Sequence, residues 1–401
     1  MATTQIEPAW EELLGAKNWD GLLDTLDLSL RRLILRSGDF CQVTYDAFNN
    51  DQNSKYCGAS RFGKSSIFRE VFFPYASDYD VVSFLYATAR VSLPEALLLH
   101  SNSRDSWDRE SNWMGYVAVS SDRATRSLGR REIHVAWRGT IRDYEWINVL
   151  GAELESAKPL LNENDHDEGA KVMQGWLNIY ISDKPNSPFV KTSARVQVLK
   201  FIKHLAEKYK GENLSVVVSG HSLGASLAVL SAFDLVENGA VAAGTRVTAF
   251  VFGCPQVGNK EFKERVEKHG NLKILHTRNT IDLITRYPGV LLPGFVDIGT
   301  ELVIDSRKSP HLNESMNPGD WHNLQGMLHV VAGWNGEGNE FEMKVKRSLA
   351  LVNKSSGFLK DEYLVPHSWW AVKNKGMVLD EATGDWVLAS PDDEDLPVPE
   401  F

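Results

Sequence analysis

Five short stretches of this chain are apolar almost throughout: Gly115–Val119, Ile133–Trp137, Leu214–Val218, Val247–Phe252 and Leu272–Leu275. A strand with one wet face alternates polar and apolar side chains. Runs without that alternation predict strands covered on both faces, the condition of a parallel sheet flanked by helices. Between them, the spacing of Val196, Val198, Leu199, Ile202 and Leu205 predicts a helix over Ala194–Tyr209, and Ala225–Val236 and Lys260–Lys268 read the same way. Alternating strands and helices define an α/β fold with crossovers. With 401 residues, 43% of them hydrophobic, the chain has the material to bury such a core.

The organisation expected is an N-terminal helical and irregular segment packed on the core (1–105), an α/β core (106–335) and a C-terminal extension (336–401) ending in the acidic, proline-rich Pro391–Phe401. Asn162–Glu168 and Pro310–Asp320 read as surface loops. A net charge of −10 disfavours nucleic acid as a partner and whole-surface attraction to an anionic membrane. No 18-residue apolar run exists, Val81–Leu99 being broken by Ser83, Arg90, Pro94 and Glu95, so no transmembrane segment is expected. The first residues show neither a secretory nor a transit pattern, which makes the cytoplasm the expected location, with peripheral membrane contact still open. Cys41, Cys57 and Cys254 have no metal-type spacing and are odd in number, so neither a metal site nor a paired disulfide framework is expected.

Chemistry concentrates at Gly220-His221-Ser222-Leu223-Gly224, between a buried strand and a helix. A serine on so tight a strand-to-helix turn needs glycines at both flanks, and the helix N-terminus places the Leu223 amide where negative charge develops when Ser222 attacks a carbonyl. On such a nucleophile elbow the general base and its orienting acid follow in the order Ser, Asp or Glu, His. Asp282, in the loop after Leu272–Leu275, is the candidate acid, with helix capping or pairing to Arg286 as its bland alternatives. Four downstream histidines are candidates for the base: His276, His311, His322 and His329. His276 precedes Asp282 and breaks the order, and His311 lies in a polar loop. His322 stands where a flexible loop becomes the helical run Trp321–His329, and His329 is the fallback. A second oxyanion donor is expected after an upstream strand, where Thr140 closes Val135-Ala-Trp-Arg-Gly-Thr140; a helix start is its alternative role.

Together, Trp137-Arg-Gly-Thr140, the elbow, Asn279-Thr-Ile-Asp282 before Tyr287-Pro288, and His322-Asn-Leu324 resemble a lipase class 3 enzyme. The resemblance is closer to the plant phospholipase A1 group that lacks a transit peptide. It extends through Leu35–Phe48, Trp113–Val119, Phe252–Asn259, Trp369-Trp370 and Lys373–Leu379, nearly the whole chain. This similarity implies an α/β-hydrolase fold with a mostly parallel central sheet, and hydrolysis of a glycerolipid ester, usually at sn-1, with no metal or organic cofactor. It carries the nucleophile to Ser222, the acid to Asp282, the base to His322 and the oxyanion donors to Thr140 and Leu223. Met173 departs from the family, which often has a histidine there. Two alternatives stand beside this reading: a neutral-lipid lipase or carboxylesterase using the same residues, and a non-catalytic lipid-binding or signalling module on the same fold. The expected partner is a glycerolipid at a membrane or lipid-aggregate surface. Val290–Val296 is too apolar for an ordinary loop, so Leu291, Leu292 and Phe295 are candidate lipid contacts, with a buried segment as the alternative.

Overall fold

A computed structural model describes residues 8–89, 99, 101–104, 106, 111–140, 152–162, 168–370 and 377–388. The acidic residues 163–167 and the tail 391–401 lie outside these. Seven strands form one sheet in chain order: β1 (Tyr79–Ala87), β2 (Asn112–Ser120), β3 (Arg131–Trp137), β4 (Leu214–His221), β5 (Arg246–Phe252), β6 (Leu272–Asn279) and β7 (Thr300–Ile304). The first two pairings are antiparallel and the four from β3 to β7 are parallel. All five apolar runs are therefore strands of one sheet.

The helices that cover it are α1 (Leu28–Asp46), α2 (Gln174–Ile181), α3 (Ala194–Lys208), α4 (Leu223–Glu237), α5 (Lys260–Lys268) and α6 (Leu324–Gly333). Strand periodicity explains why β4 and β5 lack polar alternation. Val216, Val218, Ala249 and Val251 face one cluster with Val198, Leu227, Phe233 and Phe262. The intervening Val217, Phe250 and Phe252 face another, with Leu30, Ile34, Leu328 and Val331. Caps fix where the helices begin: Asp27 accepts the amides of Ser29 and Leu30, and Ser193, Asn259 and Asn323 each accept one amide of the following first turn.

To this sheet the structure adds two strands beyond the five apolar runs. Tyr79–Ala87, inside the segment read as helical and irregular, is an edge strand paired to β2. Thr300–Ile304 is the opposite edge. The N-terminal segment thus supplies a strand as well as α1.

A buried ionic cluster fastens α1 to the sheet. Glu132 accepts from Arg36 at 2.9 and 2.8 Å, from Arg130 at 2.6 Å and from the Tyr79 hydroxyl at 2.8 Å. Burial opposes its ionisation, but the guanidinium groups of Arg36 and Arg130 and the nearby His134 ring, 3.8 Å away, together hold its carboxyl well below the usual range. Glu132→Gln leaves both buried guanidinium groups short of a counter-charge. It should lower unfolding free energy by about 3–5 kcal/mol in urea titration; an unchanged midpoint would show that the cluster contributes nothing net.

Candidate active site

Ser222 follows β4 directly, with φ 58° and ψ −129°, a backbone region that non-glycine residues seldom occupy. The flanking glycines permit the turn. A Cβ at Gly220 would stand 2.0 Å from the Gly224 carbonyl oxygen, and one at Gly224 would stand 2.4 Å from the Trp137 carbonyl oxygen and 2.8 Å from Arg138 C. The second contact brings the elbow against the exit of β3. Leu223, first residue of α4, lies between Ser222 and Gly224, whose neighbour Arg138 opens the segment leading to Thr140. Leu223 is fully buried and Thr140 half-buried.

Asp282 lies in the loop after β6 and is 1% exposed. Its Oδ2 is 2.6 Å from His322 Nδ1, and its Oδ1 accepts the Ile284 amide at 2.9 Å. A carboxylate only accepts, so His322 Nδ1 carries the proton and Nε2 presents its lone pair. The helical run anticipated over Trp321–His329 is broken in a useful way. A short helix, Pro318–Trp321, ends at His322, and α6 starts afresh after its cap Asn323. That interruption lets His322 turn into the site and not lie along a helix.

Gly253, with φ +53°, accommodates the pair: a Cβ there would lie 2.7 Å from His322 Cε1 and 3.1 Å from Asp282 Oδ2. Sequence reasoning did not single out this residue. Its signal was a glycine immediately after a central parallel strand, at the carboxyl edge where α/β sheets build sites.

The other histidines serve elsewhere. His276 Nε2 accepts the Cys254 amide at 2.9 Å, and burial lowers its pKa to about 4. His329 is bonded to Ser309 and His311 to Tyr363. Arg138 is buried at the exit of β3. Its guanidinium donates to the carbonyls of Trp113 and Gly139 and lies 3.9 Å from the Phe48 ring centroid, so it braces the loop bearing Thr140. Burial lowers its pKa to about 9. Among the described residues no group of three metal-ligating side chains occurs.

The apolar segment after Asp282 divides in two. Val290, Leu291 and Leu292 are 63%, 56% and 38% exposed, whereas Phe295 is buried in the core. Gly294, at φ +105°, lies between them, so the chain turns and sends Phe295 inward.

A serine elbow at the carboxyl edge of a mostly parallel sheet, with a histidine–carboxylate pair on later loops, is the architecture of the α/β-hydrolase class. Residues 134–292 match the family model of lipase (class 3). The chain is 63% identical over 419 aligned positions to phospholipase A1-IIdelta of Arabidopsis thaliana, covering 100% of both. It is 53% identical over 395 positions to phospholipase A1-II 5 of Oryza sativa subsp. indica, covering 97% of this chain and 84% of that one. A solved propeptide complex of Rhizomucor miehei lipase aligns with a TM-score of 0.45 at 18% identity, covering 71% of this chain and 70% of that chain; the fold assignment rests on the strand order, not on this likeness. The chain belongs to the lipase class 3 family, in its plant phospholipase A1-II group.

Proposed function

We propose that this protein is a phospholipase A1 that releases the sn-1 fatty acid of glycerophospholipids through an acyl-enzyme on Ser222. The observation that carries the chemistry is the Asp282–His322 hydrogen bond, which leaves Nε2 of the imidazole as a base at the edge where Ser222 sits. The substrate class rests on full-length similarity to the phospholipases A1-II. His322 takes the Ser222 proton as Oγ attacks the ester carbonyl, while the amides of Thr140 and Leu223 hold the oxyanion. Collapse breaks the bond to the glycerol oxygen, to which His322 returns the proton. Water then attacks the acyl-serine by the same steps in reverse, giving the fatty acid and free Ser222. No step calls for a metal or an organic cofactor.

Exposed Val290, Leu291 and Leu292, a few residues beyond Asp282, form a lip for acyl chains or the lipid surface. No described helix is long and apolar enough to cross a membrane. The three cysteines are free and buried, which suits the cytoplasm. Changing either Leu291 or Leu292 to serine should slow hydrolysis of aggregated phosphatidylcholine roughly 10- to 100-fold, since a leucine buried in lipid contributes about 1.5–3 kcal/mol. A short soluble ester should be cleaved at the wild-type rate. Phe295→Ala should instead cost about 3 kcal/mol of stability or more and spare neither substrate. Equal losses on both substrates in either leucine variant would contradict the lip.

The substrate assignment is tested with phosphatidylcholine carrying different acyl chains at sn-1 and sn-2, beside a matched diacylglycerol. Release of the sn-1 chain from phospholipid by wild type, and not by Ser222→Ala, is expected. Preference for diacylglycerol would make the protein a neutral-lipid lipase with the same site.

A further inference from the structure

Tyr45, His221 and the backbone of His322 form a run of hydrogen bonds that the two-step reaction does not use. His221 Nε2 lies 2.8 Å from the His322 carbonyl oxygen, and the Tyr45 hydroxyl lies 2.6 Å from His221 Nδ1. The rings of His221 and His322 also pack on each other, with centroids 4.6 Å apart and planes tilted by 38°. A carbonyl oxygen only accepts, so His221 carries its proton on Nε2, and its bare Nδ1 accepts from Tyr45.

The surroundings keep it so. His221 is 7% exposed, and burial, reinforced by the facing His322, pushes its pKa well below the usual histidine value. Tyr45, near the end of α1, reaches the ring because residue 139 has no side chain: a Cβ at Gly139 would stand 2.0 Å from the Tyr45 hydroxyl oxygen. The His322 backbone, between the short helix Pro318–Trp321 and the cap of α6, has φ −97° and ψ 2° and is held by no continuous helix.

We propose that Tyr45 and His221 are positioning residues for the hydrolysis: Tyr45 fixes the Nε2–H tautomer of His221, and His221 grips the backbone of the base. Because His221 immediately precedes Ser222, one dipeptide then carries the nucleophile and ties the base to it. The opposite tautomer of His221 would aim a lone pair at the His322 carbonyl and push the base away. This inference rests on Ser222 and His322 acting as nucleophile and base.

The test compares wild type, Tyr45→Phe, His221→Gln, His221→Met and Ser222→Ala on a short soluble ester. It also records thermal unfolding and the ¹⁵N shifts of the histidine rings. Tyr45→Phe should lower kcat roughly 10- to 100-fold with KM unchanged, the scale of a misplaced catalytic group. Its Tm should stay within about 4 °C of wild type, and the His221 nitrogens should shift toward mixed tautomers. His221→Gln keeps a donor at the Nε2 position and should exceed His221→Met in kcat by about tenfold. Should Tyr45→Phe fail to fold, the Gln and Met pair decides. Wild-type turnover by Tyr45→Phe with an unmoved tautomer, or equal loss in Gln and Met, would overturn the positioning role. Full activity in Ser222→Ala would instead remove the nucleophile assignment on which it stands.

Discussion

Ser222→Ala is expected to lower kcat by about 10⁶-fold while leaving the fold intact, the scale seen when a triad nucleophile is lost. The structure explains why the loss should be purely chemical. Ser222 Oγ is buried and, among the described residues, makes no hydrogen bond, so alanine removes one atom without orphaning a partner. The elbow itself depends on Gly220 and Gly224 and persists. Residual turnover, about 10³–10⁴-fold above water, would come from the oxyanion amides and substrate binding alone. A Tm equal to wild type beside a rate at that residual level is the expected pair of readings. A rate within tenfold of wild type would exclude Ser222 as nucleophile.

Asp282→Asn carries the next largest effect, about 10⁴-fold in kcat, through the tautomer of His322. Asp282 Oδ1 accepts the Ile284 amide, so an asparagine keeps its carbonyl oxygen there and turns its NH₂ toward His322 Nδ1. Facing a donor, Nδ1 must accept, and the ring proton moves to Nε2. The lone pair that should take the Ser222 proton is then gone. Because the side chains are isosteric and the Ile284 bond survives, stability should change little. Measured kcat, KM and Tm for this variant separate the tautomer effect from unfolding; a loss in Tm that accounts for the loss in rate would contradict it.

The fold was legible wherever local pattern and burial agree. β4 to β6 place side chains in two hydrophobic clusters and β3 sends Ile133, Val135 and Trp137 into the first of them, so their central stretches are apolar almost throughout and stand out in the sequence. The edge strands are different. β1 is only partly covered at Asp80, Val81 and Val82, and β7 carries Glu301, which pairs with Arg278, so neither shows an unbroken apolar run. Ser222 could be placed by the strain its turn imposes, and Asp282 and His322 by chain order. The structure brings these last two into hydrogen-bond contact. Phe295 could not be separated from Leu291 and Leu292 by composition, because the left-handed turn at Gly294 decides which apolar side chain faces inward. Tyr45 and His221 stand 176 positions apart, and no local pattern records a contact that α1 makes by folding back across the sheet.

The central claim is that Ser222 is the nucleophile of a Ser–His–Asp acyl transfer. It is tested most directly by reacting the protein with a lipid-like phosphonate ester and locating the adduct by mass spectrometry of its peptides. One adduct is expected, on the peptide containing Ser222, absent from Ser222→Ala and formed far more slowly in His322→Ala. Labelling of another residue, or labelling that persists in Ser222→Ala, would contradict it.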